Sequence, residues 1–327
     1  MLFSIIIPVK SINNYVRETV PHIQALKTHK WELFIIPNSI EENEWADDKR
    51  ITILESGKVG PAQKRDLGAM SSNGDIVVFL DDDSYPDVNF LKIAKTYFLN
   101  SNVIAIGGPA ITPKEDSFWQ HVSGAVFLGK LTGGFPERYV PYGPSKEIDD
   151  WPTVNLMVRR KDFLSVGGFD CHYWPGDDTW LCLKLKKTGK KIMYAPEMIV
   201  WHHRRAGFLL HLKQVGAYGL HRGYFARHYP ETSFRFKFFI PSLFVFFVLV
   251  SIIFALSGQS LFLFLFILFG WTIYILAIVS SIYDSSKHEG LLVSLATLLY
   301  LPPTHFFYGI RFMMGFLRKG ELVSKLR

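Results

Sequence analysis

The 327-residue chain is 49% hydrophobic and 15% aromatic, too apolar for a disordered protein and long enough for one large domain plus a further part. Its formal charge is +7, and nearly all of that excess sits in one stretch, where Arg204, Arg205, Lys213, Arg222, Arg227, Arg235 and Lys237 stand against Glu231 alone. Because the stretch leads into an apolar region, lipid head groups rather than nucleic acid are its expected partner.

The opening MLFSIIIPVK is short, has no basic n-region and ends at a proline. It reads as a first buried strand at 3–7 rather than a leader, which places the N-terminal part in the cytoplasm. A helix-like run follows at 14–26, then strand-like runs at 33–36 and 51–54 and a second helix-like run at 61–70. The apolar strand 76–80 ends in Asp81-Asp82-Asp83; 90–98 has helical spacing and 103–107 is strand-like. This alternation predicts an α/β, mostly parallel sheet covered on both faces, with ligands beyond the carboxyl ends of its strands. Between Trp119 and Trp151, aromatic residues alternate with Gly124, Gly129, Gly133 and Gly134, which suggests an acceptor-facing loop or plain packing. Residues 153–158 read as a strand, 161–166 and 179–187 as helices, and 191–194 and 198–201 as short strands. Cys171 and Cys182 are too few for a disulfide framework and unsuitably spaced for zinc.

From 238 to 283 no residue is charged. A single helix of that run would be about 69 Å long against a hydrocarbon core of about 30 Å, so it must fold back. Ser257-Gly258-Gln259-Ser260 is the expected turn between spans 238–256 and 261–283. Arms that are apolar around their whole circumference argue against a buried hairpin in a soluble protein. The third apolar stretch, 291–317, is interrupted by Pro302-Pro303, His305 and Arg311. Arg318, Lys319, Lys325 and Arg327 should stay on the cytoplasmic side with the basic segment. The stretch is therefore expected to be a re-entrant or interfacial hairpin kinked at the proline pair, with a full span as the other option. The expected division is a sheet domain at 1–203, a basic juxtamembrane segment at 204–237, a membrane domain at 238–317 and a cytoplasmic tail at 318–327.

Three adjacent carboxylates at a strand end repel one another, and a site that keeps them ionised usually supplies a cation. Two further clusters suit the same purpose: Asp177-Asp178 in WPGDDTWLC and His202-His203 in VWHHRR. Carboxylates with one imidazole fit Mn²⁺ or Mg²⁺ when phosphate supplies the remaining oxygens. Each cluster alone has a plainer reading, with Asp82, Asp83 and Asp178 as helix or turn caps and the histidines as surface residues. A cationic element, Lys64 and Arg65, lies near the start of the 61–70 helix, where a diphosphate could be held or where an amphipathic helix is simply solvated.

The ordered set IIIPV, GPAQKRDLGA, FLDDD, TVNLMVRRKDFLSVGGFD, WPGDDTWLCLKLKKTGKKIMYAPEMIVWHHRR and QVGAYGLHRGYFARHYP resembles the family 2 inverting glycosyltransferases of the GT-A fold. The C-terminal apolar segments resemble those of the membrane-bound subgroup that makes polysaccharides and lipid-linked glycans. The resemblance implies a Rossmann-like GT-A catalytic domain at 1–203 and C-terminal transmembrane helices. It makes Asp81 and Asp83 the ends of a DxD motif, with Asp83 and His202 as metal ligands, His203 in reserve, and Asp81 near the ribose or metal. Asp178 becomes the catalytic base with Asp177 beside it, while Pro8, Lys64, Arg65, Asp81 and Asp82 bind the donor, a nucleotide-diphosphate sugar. Trp151, Arg204, Arg205 and Arg222 are the expected acceptor or lipid contacts, and the acceptor is a lipid-linked glycan or a polyprenyl phosphate at the cytosolic face of the plasma membrane.

Two departures bear on specificity. Pro37 and Asn38 stand where the family usually carries an acid at the base or ribose, with Glu41 or Glu42 as substitutes, and the Q-x-x-R-W sequence of processive relatives is absent. Transfer of one sugar or few is therefore expected. A polyprenyl-phosphate sugar synthase and a noncatalytic membrane scaffold are the rival readings.

Overall fold

Strand β1 (Phe3–Pro8) is followed by α1 (Asn14–Gln24), β2 (Trp31–Ile36), β3 (Ile51–Ile53), α2 (Pro61–Ser71) and β4 (Ile76–Phe79). Next come β5 (Ser84–Pro86), α3 (Phe90–Tyr97), β6 (Val103–Gly107), β7 (Ala110–Ile111), α4 (Phe118–Ala125) and β8 (Lys146–Ile148). The sheet region closes with β9 (Leu156–Arg159), α5 (Arg160–Ser165), α6 (Asp177–Lys186), β10 (Lys191–Tyr194) and β11 (Val200–His202). Helices α7 (Phe208–His228), α8 (Pro230–Ser233), α9 (Phe236–Ser257), α10 (Leu261–Ser286) and α11 (Leu291–Phe316) complete the chain. The computed structural model describes residues 1–40, 42–257 and 261–322. Most of the expected turn at 257–260, Glu41 and the basic residues Lys325 and Arg327 lie outside them.

Two compact units emerge, Met1–Pro113 with Val140–His203, and Lys114–Tyr139 with Arg204–Leu322. The segment Lys114–Tyr139, expected within the sheet domain, thus groups with the C-terminal helices. In the first unit the main sheet has the order β3-β2-β1-β4-β9-β6-β10-β8. Strand β9 is antiparallel to both neighbours and β8 is an antiparallel edge; the other pairings are parallel. A small second sheet has the order β5-β11-β7.

The strands are apolar without alternation because both faces are covered. On β1, Ile5 and Ile7 join the layer of Val16, Val20, Phe90 and Leu91, while Ile6 between them joins Ala62, Phe163, Leu181 and Leu185. The pleat's two-residue period thus sends neighbouring side chains to opposite cores. Asn13 starts α1 by accepting the Val16 amide at 3.0 Å, and Pro61 begins α2, where a missing N–H costs nothing. The strand expected at 153–158 begins only at Leu156, after a 3₁₀ turn at Thr153–Asn155. Asn155 leaves the ladder because its amide donates to the carbonyls of Pro109 (3.0 Å) and Met198 (2.8 Å).

In the second unit α9, α10 and α11 are long and apolar enough to cross a membrane, with mean hydropathies of 2.8, 2.6 and 1.3. The proline pair does not break the third segment into a hairpin: Pro302 and Pro303 lie inside one continuous helix, α11. Proline's fixed φ is itself helical, and packing along α7 holds the flanking turns in line. At Gly223 a Cβ would come 2.0 Å from the Phe312 carbonyl oxygen, so only glycine allows these two backbones to approach so closely.

Candidate active site

Strand β4 delivers Asp81 and Asp83 to the carboxyl end of the sheet. Antiparallel pairing of β5 with β11 sets His202 opposite Ser84, and the His203 amide donates to the Asp83 carbonyl at 3.0 Å. That register, between segments more than a hundred residues apart, brings one ligand atom each of Asp81, Asp83 and His202 within 4.8 Å of one another. His202 Nε2 stands 3.2 Å from the Asp83 carboxylate, close to the spacing of about 3 Å between adjacent donors around a small divalent ion. Hard oxygens with one imidazole, at a rim rather than in the core, fit Mn²⁺ or Mg²⁺. His203 points elsewhere: its Nε2 meets Glu18 at 3.0 Å, and its ring packs on Tyr15 and Tyr85.

Arg65 reaches this cluster from the first turns of α2. Its guanidinium donates to Asp81 and to Asp177, each at 2.7 Å, with the Arg65 side chain only 4% exposed. One buried cation therefore ties the metal-suited group to the acidic pair of α6. Arg65, expected at the diphosphate, engages two carboxylates here and braces the two halves of the site. Nothing in the spacing signalled this, because the three residues come from separate elements.

Gly176 takes a left-handed φ of +115° before α6, a conformation that favours glycine and turns the chain so that Asp177 and Asp178 occupy the helix's first turn. There the unpaired amides favour negative charge. The two acids differ in setting. Asp177 is buried, and burial pushes its carboxyl upward against the pull of Arg65; Asp178 is half-buried and accepts the Thr179 amide at 2.7 Å.

Lys64, expected at the donor, lies in the interior. It is 3% exposed, and its ammonium donates to the Val9 carbonyl, to the Ile36 carbonyl at 3.2 Å and to Asn38 Oδ1 at 2.6 Å. Desolvation lowers it to about 8, against the field of Asp82. It therefore clamps the ends of β1 and β2 beside the buried Pro8, and Asn38, where an acid was expected, is its partner. Asp82 accepts the Asn13 side-chain amide at 2.7 Å, while Glu42 is exposed.

Trp151, expected as an acceptor or lipid contact, lies in the interior as well. It is 3% exposed, packs in the sheet core and donates its indole N–H to the Gly108 carbonyl at 2.9 Å. In the second unit the Arg204 guanidinium lies 4.5 Å from the Tyr139 ring centroid, and Arg222 sits 4.9 Å from that of Phe238; Arg205 is exposed. Both cysteines are free, and burial pushes the Cys171 thiol up to about 12.

Residues 76–281 match the family model described as glycosyl transferase family group 2. A pre-mycofactocin glycosyltransferase of Mycobacterium tuberculosis is 24% identical over 178 residues, covering 53% of this chain and 36% of that protein. The chain thus spans little more than a third of that relative's length. A Methanococcus voltae protein, dolichyl N-acetyl-alpha-D-glucosaminyl phosphate 3-beta-D-2,3-diacetamido-2,3-dideoxy-beta-D-glucuronosyltransferase, is 24% identical over 240 residues, 72% of this chain and 69% of its own. The mannosyltransferase PcManGT from Pyrobaculum calidifontis, solved with GDP-Man and Mn²⁺, superposes with a TM-score of 0.54 at 15% identity, covering 98% of this chain and 88% of that one. At that identity the likeness speaks for the fold alone, and the fold is GT-A.

Proposed function

Because this chain belongs to glycosyl transferase family group 2, we propose that it moves a sugar from a nucleotide-diphosphate sugar to a lipid-linked saccharide, with inversion and one addition at a time. The observation that carries the reading is the meeting of Asp81, Asp83 and His202 at the strand ends, with Arg65 joining that cluster to the acids of α6. Asp81, Asp83 and His202 would hold Mn²⁺ or Mg²⁺. A divalent ion there supplies neutralisation of the charge on the departing diphosphate. Arg65 fixes Asp81 and Asp177 relative to each other. Asp178 takes the proton of the acceptor hydroxyl as that oxygen attacks the anomeric carbon opposite the leaving group, and one such displacement inverts the configuration.

A lipid-linked acceptor is supported by the apolar C-terminal helices and by the dolichyl-linked acceptor in the name of the M. voltae relative. The basic stretch 204–237 leads into the first of these helices, which supports a catalytic unit on the cytosolic side of the plasma membrane. The test is donor binding by the full chain in detergent, screening UDP, GDP and dTDP sugars with and without Mn²⁺ by ligand-observed NMR. Metal-dependent binding of one nucleotide, lost in Asp83→Ala with the thermal transition retained, is the expected result. Equal affinity with and without metal in both proteins would overturn the ligand set.

A further inference from the structure

Next to the Arg65 brace, α2 carries a second charged side chain bound to the chain that leads into α6, Asp66. We propose that Asp66 is a positioning residue for the transfer reaction: with Gln63 and Arg65 it makes one turn of α2 the template for the loop 171–177, and so sets where α6 presents Asp178. The proposal rests on the catalytic reading above, in which Asp178 takes the acceptor proton.

The half-buried Asp66 carboxylate accepts two backbone amides, Phe169 on one oxygen at 2.8 Å and Asp170 on the other at 3.0 Å. The chain is bent to bring them there. Gly167 and Gly168 have φ of +78° and +60°, and Asp170, at +40°, is the one non-glycine residue with a positive φ among the described residues. Amides turned inward by such a bend form a concave anion site, and here the anion is a side chain of α2. A Cβ at Gly168 would stand 2.3 Å from Asp66 Oδ1, so the loop closes on the carboxylate only with glycine there. Burial pushes the Asp66 carboxyl upward, and the two amides pull it back. The desolvation of a carboxylate and the left-handed turn of an aspartate both carry a cost, and one contact offsets both.

Phe169 is held by its amide, its ring and its carbonyl. The ring is buried against Phe79, the last residue of β4, at 5.2 Å and against Phe163 at 5.6 Å between centroids, and Lys184 of α6 donates to the carbonyl at 3.2 Å. The Cys171 carbonyl accepts from Gln63 Nε2 at 3.4 Å. Gln63 and Asp66, three positions apart, share a face of α2. After the five residues His172–Gly176 the chain is held again, where Arg65 binds Asp177 at 2.7 Å. Both ends of the loop are thus tied to one helical turn, and Asp178 directly follows the second tie. Slack at the first tie passes through five residues to the acids, and a reacting geometry tolerates little of it, since a misplacement of about 1 Å can cost about 10²-fold in rate.

The full chain in detergent with Asp66→Asn tests the proposal, because asparagine keeps one acceptor oxygen but sets an NH₂ group against the second amide. Nucleoside diphosphate release is followed from UDP, GDP and dTDP sugars with Mn²⁺ and a synthetic polyprenyl-diphosphate disaccharide as acceptor. Turnover should fall by about 10–10²-fold while metal-dependent nucleotide affinity stays within about twofold. In a chain already carrying Asp178→Asn, the same substitution should cost nothing further, because a residue that acts through Asp178 then has nothing left to place. Unchanged turnover, or equal losses with and without Asp178, overturns the proposal. Gly168→Ala attacks the same contact from the loop side and replaces Asp66→Asn if that variant does not fold. Hydrogen exchange keeps the outcome separate from the catalytic reading. If the wild type releases no nucleotide from any of these donors, that reading fails on its own account. Faster exchange at 167–178 in Asp66→Asn, with β4 unchanged, still supports Asp66 as the residue that holds the acid-bearing loop, and unchanged exchange there rejects it.

Discussion

The two units treat buried polarity in opposite ways. In the sheet unit Arg65 and Lys64 are each 3% exposed, and Arg65 is satisfied by carboxylates of the candidate site. In the helical unit the buried His211 joins Ser123 (2.8 Å) and Thr304 (2.9 Å), linking α4, α7 and α11 through uncharged groups. Desolvation explains the contrast. A buried ion needs opposite charge, as Arg65 has, or a full set of oriented oxygens, as Lys64 has, whereas a neutral imidazole needs only a donor and an acceptor. The carboxylate partners of Arg65 therefore gather at the candidate site, and the neutral partners of His211 where helices pack.

Removing the half-buried acid of α6 is the largest break in this arrangement. Asp178→Asn should lower turnover by about 10²–10⁴-fold, the usual worth of a general base, while donor affinity stays within twofold. Product formation from a radiolabelled donor, set beside nucleotide binding, checks both halves. If Asp177→Asn alone gave the catalytic loss and Asp178→Asn did not, the roles of the neighbours would be exchanged.

Removing the brace tests the buried charge itself. Arg65→Met leaves Asp177, 6% exposed at its side chain, without its cation, and should destabilise the chain by about 3–5 kcal/mol. Arg65→Lys should cost less stability yet still separate the acids, because one ammonium lacks the two-pronged reach of guanidinium. Denaturant melts of both variants, followed by the intrinsic fluorescence of the sheet unit's tryptophans, distinguish a brace from a solvated arginine, whose loss would change little.

The acidic triplet and the apolar runs were legible in the sequence because each is a local pattern. Strand β4 reads directly as a buried run, and its two faces differ only in which helix covers them. The double histidine was legible as a type but not as a choice: the β5–β11 register turns His202 toward Asp83 and His203 toward Glu18. Lys64 and Arg65 look alike in sequence yet serve different partners, because consecutive helix positions are turned about 100° apart. Trp151 was expected among the acceptor or lipid contacts, and only the tight approach of Gly107, where a Cβ would stand 2.2 Å from the indole, explains its place in the core. The proline pair suggested a break, but neighbouring helices outweighed the local preference.

His211 offers the finest test of the neutral network. Burial lowers it from 6.5 to about 4, and its surroundings are the hydroxyls of Ser123 and Thr304 and the rings of Phe127 and Tyr300, with no acid to favour imidazolium. The folded state thus binds a proton less readily than the unfolded chain. Stability from this group is complete above pH 6.5 and is lost as pH falls toward 4, amounting to about 2 kcal/mol by pH 5. Wild type and His211→Gln should therefore differ more at pH 7.5 than at pH 5, because glutamine keeps a donor and an acceptor but does not titrate. A constant difference between their melting temperatures across that range would mean that His211 is reached by water or by an anion when protonated. The contrast between the two units would then be one of degree.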